Sequence, residues 1–327
     1  MIKPLSSKGA GGFVMGRTNS NIHAEILEIT DGDPLSSYQE YKDRENFYRK
    51  EGFRRRKEVH DVPRLLYKFY GWNFDGGSGD CDRRRWFLES MTSNKLRLSS
   101  RVDFNDPYDV YPRFDHDYDL DDVRILFDKD FKEQGVVGAK RKKLTDKAVC
   151  DFVGNDSCRI SELSNWIRRF NNDVGVFCLT ENVREILMWS HYANSHKGFC
   201  LVFDPVWDFD FLCYLRQVDY VVDRPVVSIA KKGGFDFDQT CLQKAACWRY
   251  EREWRYISKK RAHDFVELKD GVFKAFILGM SAGIEVLDFL IEVNKKRAMA
   301  GLLEIPIFSA KMDENKFAIQ FKKQMLV

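Results

Sequence analysis

Three runs of branched and aromatic residues constrain this chain most: Val174–Thr180, Phe199–Phe203 and Phe273–Leu278. Each is the length of one strand and rich in the residues that favour extended chain. Their spacing is uneven. Helix-like stretches over 84–93, 183–195, 239–248 and 284–300 fall between strands without a regular strand–helix rhythm, and 122–170 reads as mostly helical with a break at Gly154-Asn155-Asp156. Strands and helices mixed in this way predict an α+β fold and argue against a regularly wound parallel sheet. Residues 1–60 read as a polar N-terminal arm, loose to about 35 and helical over 36–58. Residues 61–327 read as one α+β domain with a helical insertion near 121–170.

Composition narrows the function classes. Of 327 residues, 53 are basic and 50 acidic, a net charge of +3 that does not suit a dedicated polyanion binder. The basic residues still cluster locally, at Arg54–Lys57, Arg83–Arg85 and Lys140–Lys143. Eight cysteines without a C-x-x-C pair speak against a structural zinc site and for a reducing, cytoplasmic setting. No signal peptide is expected, and the longest apolar run, 272–280, is broken by Lys274 and too short to span a bilayer, so no membrane partner is expected.

Phosphate-binding and metal motifs are missing in specific ways. There is no G-x-G-x-x-G and no G-x-x-x-x-G-K-[ST]. The aspartates of 103–122 imitate a calcium loop, but Leu120 and Leu126 stand where Gly and Glu would be required, so a helix-capping acidic loop is expected instead. His191 and His196 lie five apart and do not form a helical zinc pair; no metal ligands are assigned.

The chemistry-bearing residues concentrate in Glu251-Arg252-Glu253-Trp254-Arg255. Extended, this stretch turns Glu251, Glu253 and Arg255 to one face and Tyr250, Trp254 and Tyr256 to the other. A glutamate there can hold a sugar hydroxyl or stabilise a developing positive charge, with Arg255 holding its partner carboxylate or a phosphate. Met188, Trp189 and Tyr192 form a second, aromatic group on one predicted helix beside His191, and Asn105-Asp106-Pro107 marks a turn.

Taken together, these blocks resemble a bacterial family known as domain of unknown function twenty-nine seventy-one. The likeness runs from Leu66-Tyr67-Lys68-Phe69-Tyr70 through Leu96–Ser100 to Phe104-Asn105-Asp106-Pro107-Tyr108-Asp109. It continues with Phe177–Thr180, Met188-Trp189-Ser190-His191-Tyr192-Ala193 and Gly198, then Lys244, Trp248, Glu251, Glu253 and Arg255, and Ile277-Leu278-Gly279. It spans roughly 64–321, with an enlarged loop at 72–85.

A more distant likeness is to mono-ADP-ribosyltransferases. Tyr67–Tyr70, Phe177–Thr180 and Glu251–Glu253 stand in the order of that family's three blocks, although Lys68 replaces the usual Arg or His and Cys-Leu-Thr the usual Ser-Thr-Ser. This resemblance implies a split, mainly antiparallel sheet flanked by helices, and NAD+ consumed as substrate. It implies Glu253, Glu251 and Arg255 as catalytic residues, and Tyr67, Lys68, Asn105, Thr180, Trp189, His191 and Tyr192 as lining the NAD+ site. It further implies a nucleic-acid or protein acceptor and a toxin or phage-defence setting with an antitoxin or defence partner. The alternative is a nucleic-acid-binding effector using the basic runs, or a nuclease with a divalent ion on Asp106, Asp109, Glu251 and Glu253.

Overall fold

The computed structural model describes residues 62–63, 65–71, 80–115, 117–228, 230–231, 237–259 and 261–323. The N-terminal arm, the helix expected over 36–58, Arg54–Lys57 and Gly76–Gly79 lie outside the described residues.

The main sheet has nine strands: β1 (Leu66–Tyr70), β2 (Ser99–Ser100), β3 (Gly175–Thr180), β4 (Phe199–Phe203), β5 (Leu215–Gln217), β6 (Glu253–Ser258), β7 (Phe273–Leu278), β8 (Ile307–Met312) and β9 (Ile319–Lys323). Their order is β9-β8-β7-β4-β1-β3-β6-β5, with β2 also on β3. Every pair is antiparallel except β7–β8. Among the described residues the helices are α1 (Asp80–Thr92), α2 (Leu120–Glu133), α3 (Gly138–Gly154), α4 (Asp156–Asp173), α5 (Ile186–Tyr192), α6 (Phe209–Tyr214), α7 (Phe237–Leu242) and α8 (Ile284–Met299). The fold is thus mixed, with a mainly antiparallel sheet. β1 holds β4 through five residue pairs but β3 through one, Tyr67 opposite Thr180. The sheet is continuous, yet it narrows to a single pair between a five-stranded portion and a four-stranded one that includes β2.

The three apolar runs are the inner strands β3, β4 and β7, and every residue of β4 and β7 is buried. Covering both faces of such strands needs two cores. On one face, Leu66, Phe177, Leu179, Trp254 and Tyr256 join Phe87 and Met91 of α1 and Val286, Leu290 and Val293 of α8. On the other, Leu65, Tyr67 and Phe69 meet Met188 and Trp189 of α5. At about 25 cal/mol per Å² of apolar surface, this two-sided burial is the main force holding the sheet.

The helical insertion comprises three helices. Asp119 caps α2 by accepting from the N–H groups of Asp121 and Asp122, which is the capping role expected of the acidic loop. Asn155 caps α4 at the expected break. Val123, Phe127, Val149, Phe152, Leu163 and Trp166 give the insertion its own small core.

The turn from α5 into β4 is tight. Asn194, Ser195 and His196 all have positive φ, and a Cβ on Gly198 would collide with the Tyr70 carbonyl. Only glycine lets β4 pass so close to the end of β1.

Candidate functional site

Strand pairing assembles the site. Thr180 of β3 lies opposite both Tyr67 of β1 and Glu253 of β6, and Cys178 lies opposite Arg255. Paired residues project to the same face, so Tyr67, Thr180 and Glu253 form one row, with Cys178 and Arg255 in the next. The α5 core lies at one end of this face. At the other is a cluster of Val110, Val174, Val176 and Cys241. Between them sits a buried set of charges.

Arg255, fully buried, donates from Nε and Nη2 to the Glu253 carboxylate at 2.8 and 2.9 Å. Its Nη2 also reaches both Asp109 oxygens, at 2.7 and 2.8 Å, and its Nη1 donates to the Cys241 carbonyl at 2.7 Å. The Lys244 ammonium lies 2.5 Å from Glu251, 3.0 Å from Glu253 and 3.2 Å from Asp109. The Tyr192 hydroxyl donates to the other Glu251 oxygen at 2.5 Å. The Tyr220 hydroxyl accepts from the Glu253 N–H at 2.8 Å. These five charged side chains are all at least nine-tenths buried, so each depends on the others for the solvation that water would supply.

Local backbone makes this convergence possible. Glu251 ends a 3-10 turn, Ala246–Glu251, and is not part of the strand as the sequence pattern predicted. Arg252 then takes a left-handed conformation, φ 43°, and β6 starts at Glu253. Glu251 therefore reaches the Glu253 face by a bend. Trp254 and Tyr256 do pack into the opposite core as expected, whereas Tyr250 packs on the α5 side. Lys244 sits in a short strand, Gln243–Ala245, paired in parallel with Asp219–Val221, which sets it beside Tyr220. A continuous helix was expected over 239–248. The chain instead leaves α7 at Leu242 and becomes extended, because this pairing and the buried carboxylates claim Lys244. Asp109 follows the Asn-Asp-Pro turn, and Val110 beside it has φ 51°, rare for a β-branched residue.

The charges set each other's protonation. Burial alone would raise the Glu253 carboxyl, but Arg255 and Lys244 outweigh it and hold it well below the usual carboxylate range. Burial likewise opposes the Lys244 ammonium, yet Glu253, Asp109 and Glu251 together raise it above an ordinary lysine. At Glu251 burial wins: its pKa is raised, with Lys244 pulling the other way and Glu253 adding to the rise. Two adjacent carboxylates are thus pushed apart, the pattern that separates a fixed charge from a proton acceptor. Burial raises Cys178 well above an ordinary thiol, which makes it an inert neighbour.

An aromatic rim surrounds Glu251. His191 is exposed, and Tyr192, Trp248 and Tyr250 are half-buried. The His191 ring lies 6.2 Å from Trp248 and 6.4 Å from Tyr250, and Trp248 and Tyr250 are 6.0 Å apart. The 104–109 turn fastens this rim: Asp106 accepts from Trp248 Nε1 at 2.7 Å, and the Asn105 side chain hydrogen-bonds the Tyr192 hydroxyl.

Of the sequence-predicted residues, Glu251, Glu253, Arg255, Asn105, Thr180, His191 and Tyr192 come together here. Thr180 binds the Glu251 carbonyl through its hydroxyl. Tyr67 lies in the same row but is fully buried, as is Trp189, whose indole donates to the Val183 carbonyl at 2.7 Å. Lys68 points to the opposite face, 5.2 Å from the centre of the Phe177 ring. Sequence reasoning did not assign Lys244, Trp248, Tyr250 or Tyr220 to the site, and it took Asp109 only as a metal ligand of the alternative. The sequence order of Lys244, Trp248 and Glu251 within one block was the available signal. Asp109, Glu251 and Glu253 are engaged by Lys244 and Arg255, and among the described residues no group of three His, Cys, Asp or Glu is placed to hold a metal ion.

Residues 188–256 match the model of a family described as "Protein of unknown function (DUF2971)". That stretch belongs to the family. It runs from Met188 in α5 to Tyr256 in β6 and includes Tyr192, Lys244, Trp248, Glu251, Glu253 and Arg255, while Asp109 and Thr180 come from outside it. No curated protein and no solved structure matches the chain. Among the described residues, no helix is long and apolar enough to cross a membrane.

Proposed function

We propose that the site breaks an N-glycosidic bond, with NAD+ as substrate and water or an acceptor nucleophile receiving ADP-ribose. The carrying observation is the pair of unlike carboxylates: Glu253 is locked as a charge by Arg255, and Glu251 beside it is held by Tyr192 under a half-exposed aromatic rim. The narrow β1–β3 junction in the row of Glu253 is consistent with a cleft between sheet portions.

In this reaction the bond between ribose C1′ and the ring nitrogen breaks, and its electron pair passes to the pyridinium, which leaves as neutral nicotinamide. The sugar centre becomes oxocarbenium-like and is captured by the nucleophile. Glu251 is assigned two roles. Its charge stabilises the sugar cation, and it takes the proton released by the nucleophile; a raised pKa suits the second role. Lys244 and Tyr192 hold its two oxygens. Arg255, Asp109 and Glu253 are positioning residues that keep Lys244 in place. The rim of His191, Trp248 and Tyr250 supplies the flat surface for the ring, a role that the fully buried Tyr67 and Trp189 do not fill.

Nicotinamide release from NAD+ by the purified protein tests this reading. Glu251→Gln is expected to lower release by roughly 10²–10³-fold without lowering thermal stability. Full turnover in a folded Glu251→Gln protein, or no release with any nucleophile, DNA or protein acceptor, removes the proposal.

A further inference from the structure

The charges of the cluster do not balance. Lys244 and Arg255 face Asp109, Glu251 and Glu253, two cations against three carboxylates. The groups around the rim do not repair this. Asp106 is bonded to Trp248, and Glu185, at the start of α5, adds negative charge towards Tyr250. Arg252 is paired with Glu181 at 3.5 Å, and Arg249 is exposed and directed to the Tyr220 carbonyl. The cluster therefore carries one carboxylate more than it has cations, and Glu251, bonded to Tyr192, is the carboxylate nearest the rim. The rim itself consists of electron-rich ring faces, and Trp248 already carries one cation, the Lys244 ammonium, 5.3 Å from its ring centre. Aromatic faces beside a carboxylate favour a cation over a neutral molecule of the same shape.

We infer that the rim of His191, Tyr192, Trp248 and Tyr250, together with Glu251, is a recognition site for a planar organic cation and discriminates against its neutral counterpart. The inference rests on the glycosyl-transfer reading only for the identity of the cation, a pyridinium carried on ribose. It adds a specificity to that reading. The oxidised, positively charged ring is accepted and a reduced, uncharged dihydropyridine is not. It also has a consequence for turnover: once the bond breaks, the ring has lost its charge, so nicotinamide is held weakly and leaves.

The experiment is titration calorimetry on the full chain with two probes of nearly equal shape, 1-methylnicotinamide, methylated on the ring nitrogen and so a permanent cation, and nicotinamide, which is neutral. The cation is expected to bind roughly tenfold tighter or more. Glu251→Gln should reduce that preference to less than about threefold. Trp248→Leu, a change outside the ion cluster, should reduce it as well, with thermal melts reporting the folded state of both variants. Equal binding of the two probes, no binding of either, or an undiminished preference in either folded variant overturns the inference. Nicotinamide release from NAD+ is assayed separately. A charge preference without release removes the glycosyl-transfer reading and leaves the cation site standing; release without a preference does the reverse.

Discussion

The helical insertion and the β6 cluster use the same ion pairs at nearly the same distances. Arg141 meets Asp128 at 2.8 Å on the insertion, and Arg255 meets Asp109 at 2.7 Å beneath the rim. Their surroundings differ. The insertion pair keeps 30% and 43% of its side-chain surface in water, the cluster pair 0% and 5%. On the insertion, water solvates either partner if the other is lost. In the cluster nothing does, so the charges are tied to one another and to the fold. Separation alone says little about what a salt bridge contributes; burial decides it.

This contrast orders the expected effects. Arg255→Met leaves Asp109 and Glu253 buried with Lys244 as their remaining cation, and should cost about 3–5 kcal/mol in denaturant unfolding. A cost below about 1 kcal/mol would mean that the cluster is solvated like the insertion pairs.

Acid comes next. Because the folded pKa of Glu253 is depressed below the ordinary glutamate value of 4.5, its stabilisation is present above that pH and lost as pH falls below it. Glu251, with a raised folded pKa, has the opposite sign: its contribution is full below 4.5 and is lost as pH rises through the folded value. Urea midpoints across this range should therefore fall towards acid in the native protein, and Glu251→Gln should remove only the loss on the alkaline side of 4.5. A flat profile below 4.5 contradicts the role given to Glu253.

Tyr192→Phe removes a hydrogen bond that favours ionised Glu251, so the acid limb of the nicotinamide-release profile should move to higher pH while stability changes little. An unmoved limb would separate Tyr192 from the reacting carboxylate. The smallest effect is expected on the insertion, where Arg141→Ala should cost less than about 1 kcal/mol; a larger loss would show that this pair is not governed by water.

Much of the framework was legible in the chain. β3, β4 and β7 announce themselves as apolar runs because both faces of each are covered, and the Asn155 break in the insertion is a capping signal. The face shared by Glu253 and Arg255 follows from alternation alone. The helix expected over 239–248 failed where local spacing favoured one answer and a distant strand, Asp219–Val221, imposed another. Read as a helix, that segment gives no reason to aim Lys244 at Glu251. Trp189 and Tyr192 looked equivalent as neighbours on one aromatic helix face, yet one is sealed in the core and the other bonds Glu251. Periodicity groups residues on a face but does not say where that face ends and the site begins.

By itself the sequence determined the mixed fold, its inner strands and the acid–base character of the segment around residue 253, since these depend on local periodicity and residue chemistry. Only the tertiary structure decided that Asp109 and Lys244 complete the cluster, that Glu251 and not Glu253 is the carboxylate beside the rim, and that the charges are dry. Burial, pairing across more than a hundred residues of chain and the resulting proton affinities are properties of packing. No local pattern encodes how much water a side chain keeps.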